Sequence, residues 1–490
     1  MTIDFVAIAP EIALAITALV VLAVDLMLRD NAKQIVNPVA ALGTLIAIGF
    51  TVNLWGQQRT TFGTSFVIDN YAVVFKLLFL GSLLAILGIS WRFFAEGRYF
   101  QGEYYFLLVT AFIGMSIMPS ARDLILLFVA IETVSIPAFI MAGLRKRDLY
   151  SSEAALKFFI IGVLSVALML FGMSMVYGLT GTTDLVNIAE SIRVAGEASP
   201  LLLGSVMLVI VGFGFKISAV PFHFWAPDTY AGSPMPVAAM LAVASKAAGF
   251  AGLIAVTFIA FEPVAHVWAP IMGVLAIVTM TLGNLVALQQ RDLIRLLAYS
   301  SVAQAGYMMI PFGLARSGLE GAVVNDAAVQ AILFYLIAYA VMNIGAFGVA
   351  IAINRRTGLR SISDYAGLSG RSPLMAMAMT VFLLSLGGAP PTVGLWAKFA
   401  IVQAALTDVT PFAIVLMVFL TINSVIAFFY YLKVVKIMWM DPARDGAPAL
   451  QPGFNLSIFV GLLMAGTVVL GVLPGLLSSA TSLASVLTSG

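Results

Sequence analysis

Apolar runs long enough to cross a lipid bilayer follow one another along almost the whole chain. A helix needs about 20 mostly apolar residues to span the hydrocarbon core, and fourteen candidates can be marked in the 490 residues. We therefore predict an all-α polytopic membrane protein with about 14 transmembrane helices. The predicted spans are 5–28, 36–55, 70–91, 104–119, 121–142, 153–179, 200–220, 235–260, 265–288, 293–314, 325–353, 373–404, 409–436 and 455–480.

The composition excludes several classes of function. Only 10% of the residues are charged, against roughly 25% in soluble proteins, and the net charge of +2 gives no basic field for nucleic acid. The chain has no cysteine and two histidines, His223 and His266. Thiolate-ligated iron–sulfur clusters and disulfides are therefore excluded, and a haem held by two histidines is not expected. We predict that no cofactor is bound by this chain.

Lysine and arginine are distributed unevenly between alternate loops. With the N-terminus placed outside, sixteen fall in inside loops and four in outside loops, as the positive-inside rule requires. We expect both termini on the outer side. The inside residues are Arg29, Lys33, Arg92, Arg98, Arg145, Lys146, Arg147, Arg291, Arg295, Arg355, Arg356, Arg360, Arg371, Lys433, Lys436 and Arg444; the outside residues are Arg59, Arg122, Arg193 and Arg316.

Five basic residues belong to neither set of loops and lie deeper within predicted spans, and all are lysine: Lys76, Lys157, Lys216, Lys246 and Lys398. A charge at the bilayer centre costs at least about 2.5–3.5 kcal/mol, so each needs a reason. Arginine stays protonated almost everywhere, whereas a buried lysine can release its proton. The choice of lysine therefore favours proton exchange over fixed charge.

Two of these lysines lie beside predicted helix breaks. Lys216 is five residues before Pro221, and Lys398 follows a run of Gly and Pro at 387–391. Proline removes a backbone donor and disrupts a helix, so we expect free carbonyls beside each lysine. Such breaks are tolerated at membrane depth only where protein or a water-filled cavity satisfies the backbone.

The positions of the two breaks predict an internal repeat. If spans four to eight and nine to thirteen are two five-helix units, broken spans seven and twelve are equivalent and the units are inverted, as in many transporters. The predicted parts are 1–103 (helices 1–3), 104–262 (the first repeat), 263–440 (the second repeat) and 441–490 (the last helix).

The other buried ionisable groups differ in their local surroundings. Glu132 is an unpaired carboxylate in mid-span, which marks it as a functional candidate. Lys246 lies among small residues that permit close packing and water, and we favour a relay role over neutralisation by an acid. Lys157 follows Glu153 by four residues, so a local ion pair and a function are both open. For Lys76, snorkelling to an interface is the favoured interpretation.

Five further groups carry weaker signals. His223 is either a satisfied loop histidine or a proton donor near the membrane surface, and its ordinary titration range suits both. We expect His266, at the start of span nine, to be structural. Asp25, Asp228 and Glu11 lie near span ends and are expected to be capping or interfacial.

Four stretches resemble the antiporter-like membrane subunits of proton-pumping NADH:quinone oxidoreductase, respiratory complex I. The opening APEIALAITALVVLAVDL and the segment VASKAAGFA favour its N-type subunit, and the resemblance covers essentially the whole chain. The stretches are SSEAALKFF (151–159), KISAVPFHFWAPDTYAGSPMPVAAMLAVASKAAGFAG (216–252), LIRLLAYSSVAQAGYMM (293–309) and GGAPPTVGLWAKF (387–399).

The resemblance implies fourteen helices, two inverted repeats and a chain of buried charges on a hydrated axis. It implies that Glu132 pairs with Lys216, that Lys246 links to Lys398, and that Lys157 is the lysine of span six. The chain departs from the family pattern at two positions. Gln304 stands where SSxxHxG-type relatives have histidine, and Ala231 stands where DxYEG-type relatives have glutamate.

The function implied by the resemblance is proton transfer from the cytoplasm to the outside, driven by quinone reduction in other subunits. NAD, FMN, iron–sulfur clusters and quinone are then expected in partner subunits. M-type antiporter-like and small K-type subunits, with lipids, are the expected neighbours in a bacterial inner membrane. Two alternatives stay open: a subunit of a multisubunit sodium/proton antiporter, which shares the motifs, and a membrane scaffold that conducts nothing.

Overall fold

The fold was determined from a computed structural model, which describes residues 3–96, 101–145, 148–196, 199–318, 321–357, 360–443 and 453–482. Four residues of the charge count, Arg98, Lys146, Arg147 and Arg444, lie outside the described residues. The described chain is almost entirely helical. The prediction of an all-α polytopic membrane protein is confirmed.

The α-helices follow the predicted spans closely. In chain order they are α1 Ala9–Met27, α2 Val36–Asn53, α3 Asn70–Glu96, α4 Gln101–Ile117, α5 Leu124–Ala142, α6 Leu149–Thr180, α7 Leu185–Ala195, α8 Pro200–Ile217, α9 Trp225–Gly232, α10 Met235–Met240, α11 Lys246–Ile254, α12 Ala265–Leu288, α13 Leu293–Gly313, α14 Ala322–Thr357, α15 Leu368–Arg371, α16 Pro373–Gly387, α17 Val393–Leu406, α18 Pro411–Met440, α19 Phe454–Val472 and α20 Gly475–Ser482.

Shorter elements join these helices. Short 3-10 helices lie at Asp30–Ile35, Met118–Ser120, Glu262–Val264 and Ile362–Tyr365, and an antiparallel hairpin pairs β1 Arg59–Thr61 with β2 Phe66–Ile68. The hairpin and the amphipathic helix α7 lie in stretches without a predicted span. The last predicted span, 455–480, is two elements, because α19 ends at Val472 and α20 is separate.

Twelve helices in the described part of the chain are long and apolar enough to cross a membrane. Two predicted spans fall outside this set. Span ten is α13, which is less apolar because it carries Ser300, Ser301 and Gln304. Span twelve is divided into the shorter helices α16 and α17. Length and composition therefore do not fix the count, and fourteen stays a prediction.

Spans seven and twelve are broken, as expected from their Gly and Pro residues. Between α8 and α9 the chain turns at Ser218, which has a left-handed φ of 60°. Between α16 and α17 it turns at Gly388, which has φ 96°, a conformation that glycine adopts without steric cost. Both breaks lie directly beside a buried lysine, Lys216 in one case and Lys398 in the other.

Span eight also departs from regular α-helix, and the sequence did not predict this. Two π-helical turns, Leu241–Ser245 and Ala255–Ala260, flank α11. Turns of this kind interrupt the regular backbone ladder and are frequent at functional sites. Almost the whole segment Met235–Ala260 is buried inside the protein, and most of α3 and α14 is buried too. Helices α6, α18 and α19 leave much of their surface exposed.

Candidate functional site

Lys216 lies in the last turn of α8 and is only 2% exposed. The break leaves the last carbonyls of α8 without their helical donors, and other groups replace them. The Ser218 backbone N–H and the Trp225 indole N–H both donate to the Phe215 carbonyl. The Lys216 amine donates to none of these carbonyls in the described part of the chain. Its Nζ instead donates to Ser135 Oγ of α5 at 3.0 Å.

Glu132 lies on α5, one turn before Ser135, and is half-buried. Its Oε1 is a buried oxygen with no hydrogen-bond partner among the described residues. Glu132 and Lys216 influence each other electrostatically, but they form no ion pair within 4.0 Å in the part of the chain described. The hydrogen bond of the Lys216 amine is therefore accepted by Ser135 and not by the Glu132 carboxylate.

Lys246 starts α11 and is completely buried. Its Nζ donates to both oxygens of Ser301 on α13, to the backbone carbonyl at 2.6 Å and to Oγ at 3.0 Å. No acidic group of the described chain forms an ion pair with it. One turn further along α11, Gly249 lies against the Lys216 side chain: a Cβ there would be 3.0 Å from Lys216 Cγ. Two of the buried lysines are therefore on helices in direct contact.

Lys398 lies on α17 and is 8% exposed. Its Nζ donates to the Gly387 carbonyl at 2.6 Å, which is a carbonyl freed by the end of α16. The same amine lies 5.0 Å from the centre of the Tyr307 ring. Here the expectation of a free carbonyl beside the lysine is confirmed.

Polar side chains surround Gln304 in the middle of the protein. Its Nε2 donates to the Leu386 carbonyl at 3.1 Å and its Oε1 accepts from the Tyr335 hydroxyl at 2.5 Å. A longer contact of 3.4 Å runs to the Tyr431 hydroxyl, which also shares a 2.5 Å hydrogen bond with Ser300. These groups are all buried.

Helix α13 thereby connects two of the lysines. Lys246 binds Ser301, and Gln304 lies about one turn further along the same helix. Gln304 binds the carbonyl of Leu386, the neighbour of Gly387, which accepts from Lys398. A line of hydrogen-bonding groups thus runs from one amine to the other through the protein interior.

Known proteins share this sequence and architecture. Residues 121–426 match the family described as "NADH:quinone oxidoreductase/Mrp antiporter, TM". The chain belongs to this family. A relative named NADH-quinone oxidoreductase subunit N 2, from Streptomyces griseus, is 41% identical over 461 residues, covering 91% of this chain and 84% of that protein. A relative named F(420)H(2) dehydrogenase subunit N, from Methanosarcina mazei, is 39% identical over 487 residues, covering 95% of each. The predicted N-type resemblance is confirmed.

Solved structures show the same fold for this member of the NADH:quinone oxidoreductase/Mrp antiporter family. A chain of respiratory complex I from Thermus thermophilus, solved with bound aureothin, is 30% identical with a TM-score of 0.78, covering 97% of this chain and 99% of that one. A chain of the Mrp complex from Dietzia sp. DQ12-45-1b has a TM-score of 0.81 at 19% identity, covering 98% and 97%. The second likeness shows the fold alone.

The predicted site residue Lys157 is not buried with the other three lysines. Its side chain is 44% exposed and forms ion pairs of 2.8 Å with Glu153 and with Asp228. Asp228 also accepts from Arg295 at 2.9 Å. The predicted local pair with Glu153 is confirmed, and the placement of Lys157 among the buried groups was wrong. Asp228 joins three elements instead of simply capping a helix.

Lys76 was expected to reach an interface, and this was wrong. It is completely buried, pairs with the Glu11 carboxylate, and donates to the Ser116 carbonyl at 3.0 Å. The Ser116 hydroxyl donates to Glu11 at 2.6 Å. Glu11 therefore fastens α1 to α3 and α4, and it is neither a cap nor an interfacial group. The carboxylate of Glu11 balances the charge of Lys76, so this lysine can be buried without belonging to the group of the other three.

The two histidines differ in burial. His223 is 4% exposed in the break between α8 and α9, and its Nδ1 has no partner among the described residues. Its proposed role as a proton donor stays a prediction. His266 is exposed in the first turn of α12. No group of three His, Cys, Asp or Glu side chains in the described ranges could hold a metal ion.

Several polar residues of the site were not singled out from the sequence. Ser135 and Ser301, which hold two of the amines, look like ordinary small residues in apolar helices. A signal existed on α13, where Ser300, Gln304 and Tyr307 recur at the i, i+4, i+7 spacing of one helix face. Such a polar stripe in an otherwise apolar membrane helix marks a face turned toward other protein groups.

Proposed function

We propose that this chain translocates protons through a relay formed by Glu132, Lys216, Lys246 and Lys398, as the N-type membrane subunit of an NADH:quinone oxidoreductase. The single observation that carries the proposal is the set of three buried amines held by neutral oxygens. A hydroxyl or carbonyl oxygen accepts from the N–H of an ammonium and of a neutral amine alike. The surroundings therefore allow each lysine to exist in either protonation state.

Glu132 would set the protonation of the first lysine. In this arrangement Lys216 binds Ser135, and Glu132 lies one turn away along α5. A change of Lys216 rotamer over about 5 Å, the length of one turn, would bring the amine to the carboxylate. Opposite charges stabilise each other strongly when buried, so the position of Lys216 between serine and glutamate would favour or disfavour its proton. Release would send the proton towards Lys246.

Lys246 would pass the proton on to Lys398. The path is lined by Ser301, Gln304 and the carbonyls of Leu386 and Gly387, which would hold the internal water that carries the proton. A carboxamide does not titrate as a histidine does, so here Gln304 would hold water and hydroxyl groups in line instead of carrying the charge itself. Transfer would end on the outer side, and Lys157 and His223 would act nearer the surface than the central three lysines.

The driving reaction would take place in other subunits. Iron–sulfur clusters would be bound there, because this chain has no cysteine to offer as a ligand. NAD, FMN and quinone would be bound there too, as the family resemblance implies. The expected neighbours are M-type antiporter-like and small K-type subunits together with lipids. The complex would lie in a bacterial inner membrane, with both termini of this chain outside, as the arginine distribution predicts. Assignment to a multisubunit sodium/proton antiporter is less well supported, since the Mrp likeness is one of fold only.

The test uses the assembled complex reconstituted in vesicles, with protons counted per two electrons. Lys216→Met and Glu132→Gln are expected to abolish the contribution of this subunit. Lys246→Arg should do the same although it keeps the charge, because arginine does not release its proton. Lys76→Arg is the matched control, since Lys76 is equally buried but held by a carboxylate. Unchanged pumping in both Lys216→Met and Glu132→Gln would contradict the relay.

A further inference from the structure

A cavity of about 420 Å³ opens on the face that the arginine distribution assigns to the inside. It lies where the first turns of α6 and α13 meet α9. Its wall is lined with charge of both signs, which is unusual for a chain so poor in charged residues. The charged lining residues are Asp148, Glu153, Lys157, Asp228, Arg295 and Arg360.

Helix α9 separates this cavity from the buried lysines. Asp228, Ala231 and Gly232 of α9 line the cavity. Thr229 and Tyr230 of the same helix are completely buried. The helix therefore has one side against an open, charged space and the other side in the protein interior.

Three buried hydroxyls on and after α9 have no hydrogen-bond partner among the described residues. They are Thr229 Oγ1, Tyr230 OH and Ser233 Oγ, and each residue is at most 1% exposed. Buried hydroxyls are almost always hydrogen-bonded in folded proteins, to protein or to internal water. Three together, next to a cavity and with no protein partner, indicate a site that internal water completes.

The Tyr230 hydroxyl is the member of this group that lies beside a residue of the proposed relay. It lies beside the Ser301 side chain without forming a well-aligned hydrogen bond. Ser301 is the residue that holds Lys246 through both of its oxygens. The short helix α9 thus contributes residues to the wall of the cavity and, through Tyr230, lies beside the partner of a central lysine.

We infer that protons from the inner side reach Lys246 through this cavity, along the α9 hydroxyls, with Tyr230 and Ser301 as the last two groups. The inference rests on the proposed relay and adds its uptake route. Each hydroxyl accepts a proton on its oxygen and gives up its own to the next group, so no hydroxyl is changed by a transfer. The proton finally forms an N–H bond on the neutral amine of Lys246.

The route accounts for a departure from the family pattern. Ala231 lines the cavity, and the DxYEG-type resemblance implies a glutamate at this position. Glu153 and Asp228 supply carboxylates to the same cavity, both within 2.8 Å of Lys157. Acidic groups are therefore present at the mouth of the route without a glutamate at position 231.

The first test removes single hydroxyl groups in the assembled, vesicle-reconstituted complex. Tyr230→Phe keeps the ring that packs edge-on against Trp225 at 5.9 Å and deletes only the oxygen. A positioned proton-transfer group contributes at least about a hundredfold, and water can replace part of it, so we expect about a tenfold loss of translocation rate. Tyr104→Phe is the matched control, because the Tyr104 hydroxyl is also buried and unpartnered but lies on α4, away from the route.

The second test blocks the cavity, using the absence of native cysteine from this chain. Ala231→Cys, treated from the inner side with a charged, membrane-impermeant thiol reagent, should lose translocation after modification and not before. Gln289→Cys is the control. Gln289 is exposed at the end of α12 and does not line the cavity. The wild-type complex treated in the same way gives the background from cysteines of other subunits.

The outcomes separate the uptake route from the relay. Loss of translocation in Tyr230→Phe and in modified Ala231→Cys, with both controls normal, supports the route. Wild-type translocation in both variants, together with loss in Lys246→Met, overturns the route and leaves the relay standing. Wild-type translocation in Lys246→Met overturns the proposed function itself.

Discussion

The contact between Gly249 and Lys216 allows the relay to be perturbed without removing any charge. A Cβ at position 249 would lie 2.9 Å from Ile217 Cγ2, 3.0 Å from Lys216 Cγ and 3.1 Å from Lys216 Cβ. Ordinary contacts begin at 3.4 Å, so α8 and α11 must separate by about 0.5 Å in Gly249→Ala, an overpacking that typically costs about 1–3 kcal/mol. Lys216 Cβ is fixed by the backbone and cannot rotate away, and Lys216 Cγ moves only with the first side-chain torsion.

The expected consequence is a displaced Lys216 amine. Its 3.0 Å hydrogen bond to Ser135 Oγ would lengthen, and transfer would slow although every titratable group is present. Misplacing a reacting group by 1 Å can lower the rate about a hundredfold. A displacement of half that size therefore predicts a loss of about tenfold in translocation rate. The assay is proton uptake by vesicles containing the complex, normalised to quinone reduction.

The control for Gly249→Ala lies on the neighbouring helix. Gly204 of α8 has open space where its Cβ would be, so Gly204→Ala should leave translocation unchanged. It isolates the effect of packing from that of exchanging glycine for alanine in a membrane helix. Wild-type translocation in Gly249→Ala would refute the view that the spacing of α8 and α11 sets the geometry of the relay.

Three further predictions concern other contacts. Lys76→Met should lower the free energy of unfolding by about 3–5 kcal/mol, because it leaves Glu11 buried and unpaired. Adding Glu11→Gln should restore much of this loss. A double variant whose loss equals the sum of the two single losses would contradict the prediction. Gln304→Leu should slow translocation about tenfold, whereas Gln304→His, which keeps donor and acceptor nitrogens, should retain it. A hydrogen bond from Arg59 lowers the pKa of Asp4. This contact therefore stabilises the protein at neutral pH, and its contribution is lost as the pH falls through that lowered pKa. Asp4→Asn should remove part of the acid sensitivity of the melting temperature.

Features that depend on local sequence were predicted well. Apolar length located the helices to within a few residues, because every backbone group in lipid must be bonded within its own segment. The breaks at Pro221 and at 387–391 were predicted from residues that disrupt a helix wherever they occur. The pair of Lys157 with Glu153 was predicted because its partners are four residues apart on one helix.

Features that depend on partners distant in sequence could not be predicted. Glu11 is 65 residues from Lys76, and only the packing of α1 on α4, which also packs on α3, brings them together. Ser301 is 55 residues from Lys246 and does not stand out from other serines in apolar helices. The π turns on either side of α11 also have no sequence signal that distinguishes them from α-helix.

The difference between Lys76 and the three central lysines is the strongest structural argument for proton exchange. In the sequence all four are single lysines in predicted apolar spans. Lys76 has a carboxylate, and separating that buried pair is costly, which holds the charge in place. Lys216, Lys246 and Lys398 have serine hydroxyls and backbone carbonyls, which bind either protonation state. If these three positions served as fixed positive charges, each would be expected to have a carboxylate partner, as Lys76 has in Glu11. The choice of neutral partners is what an exchange site requires.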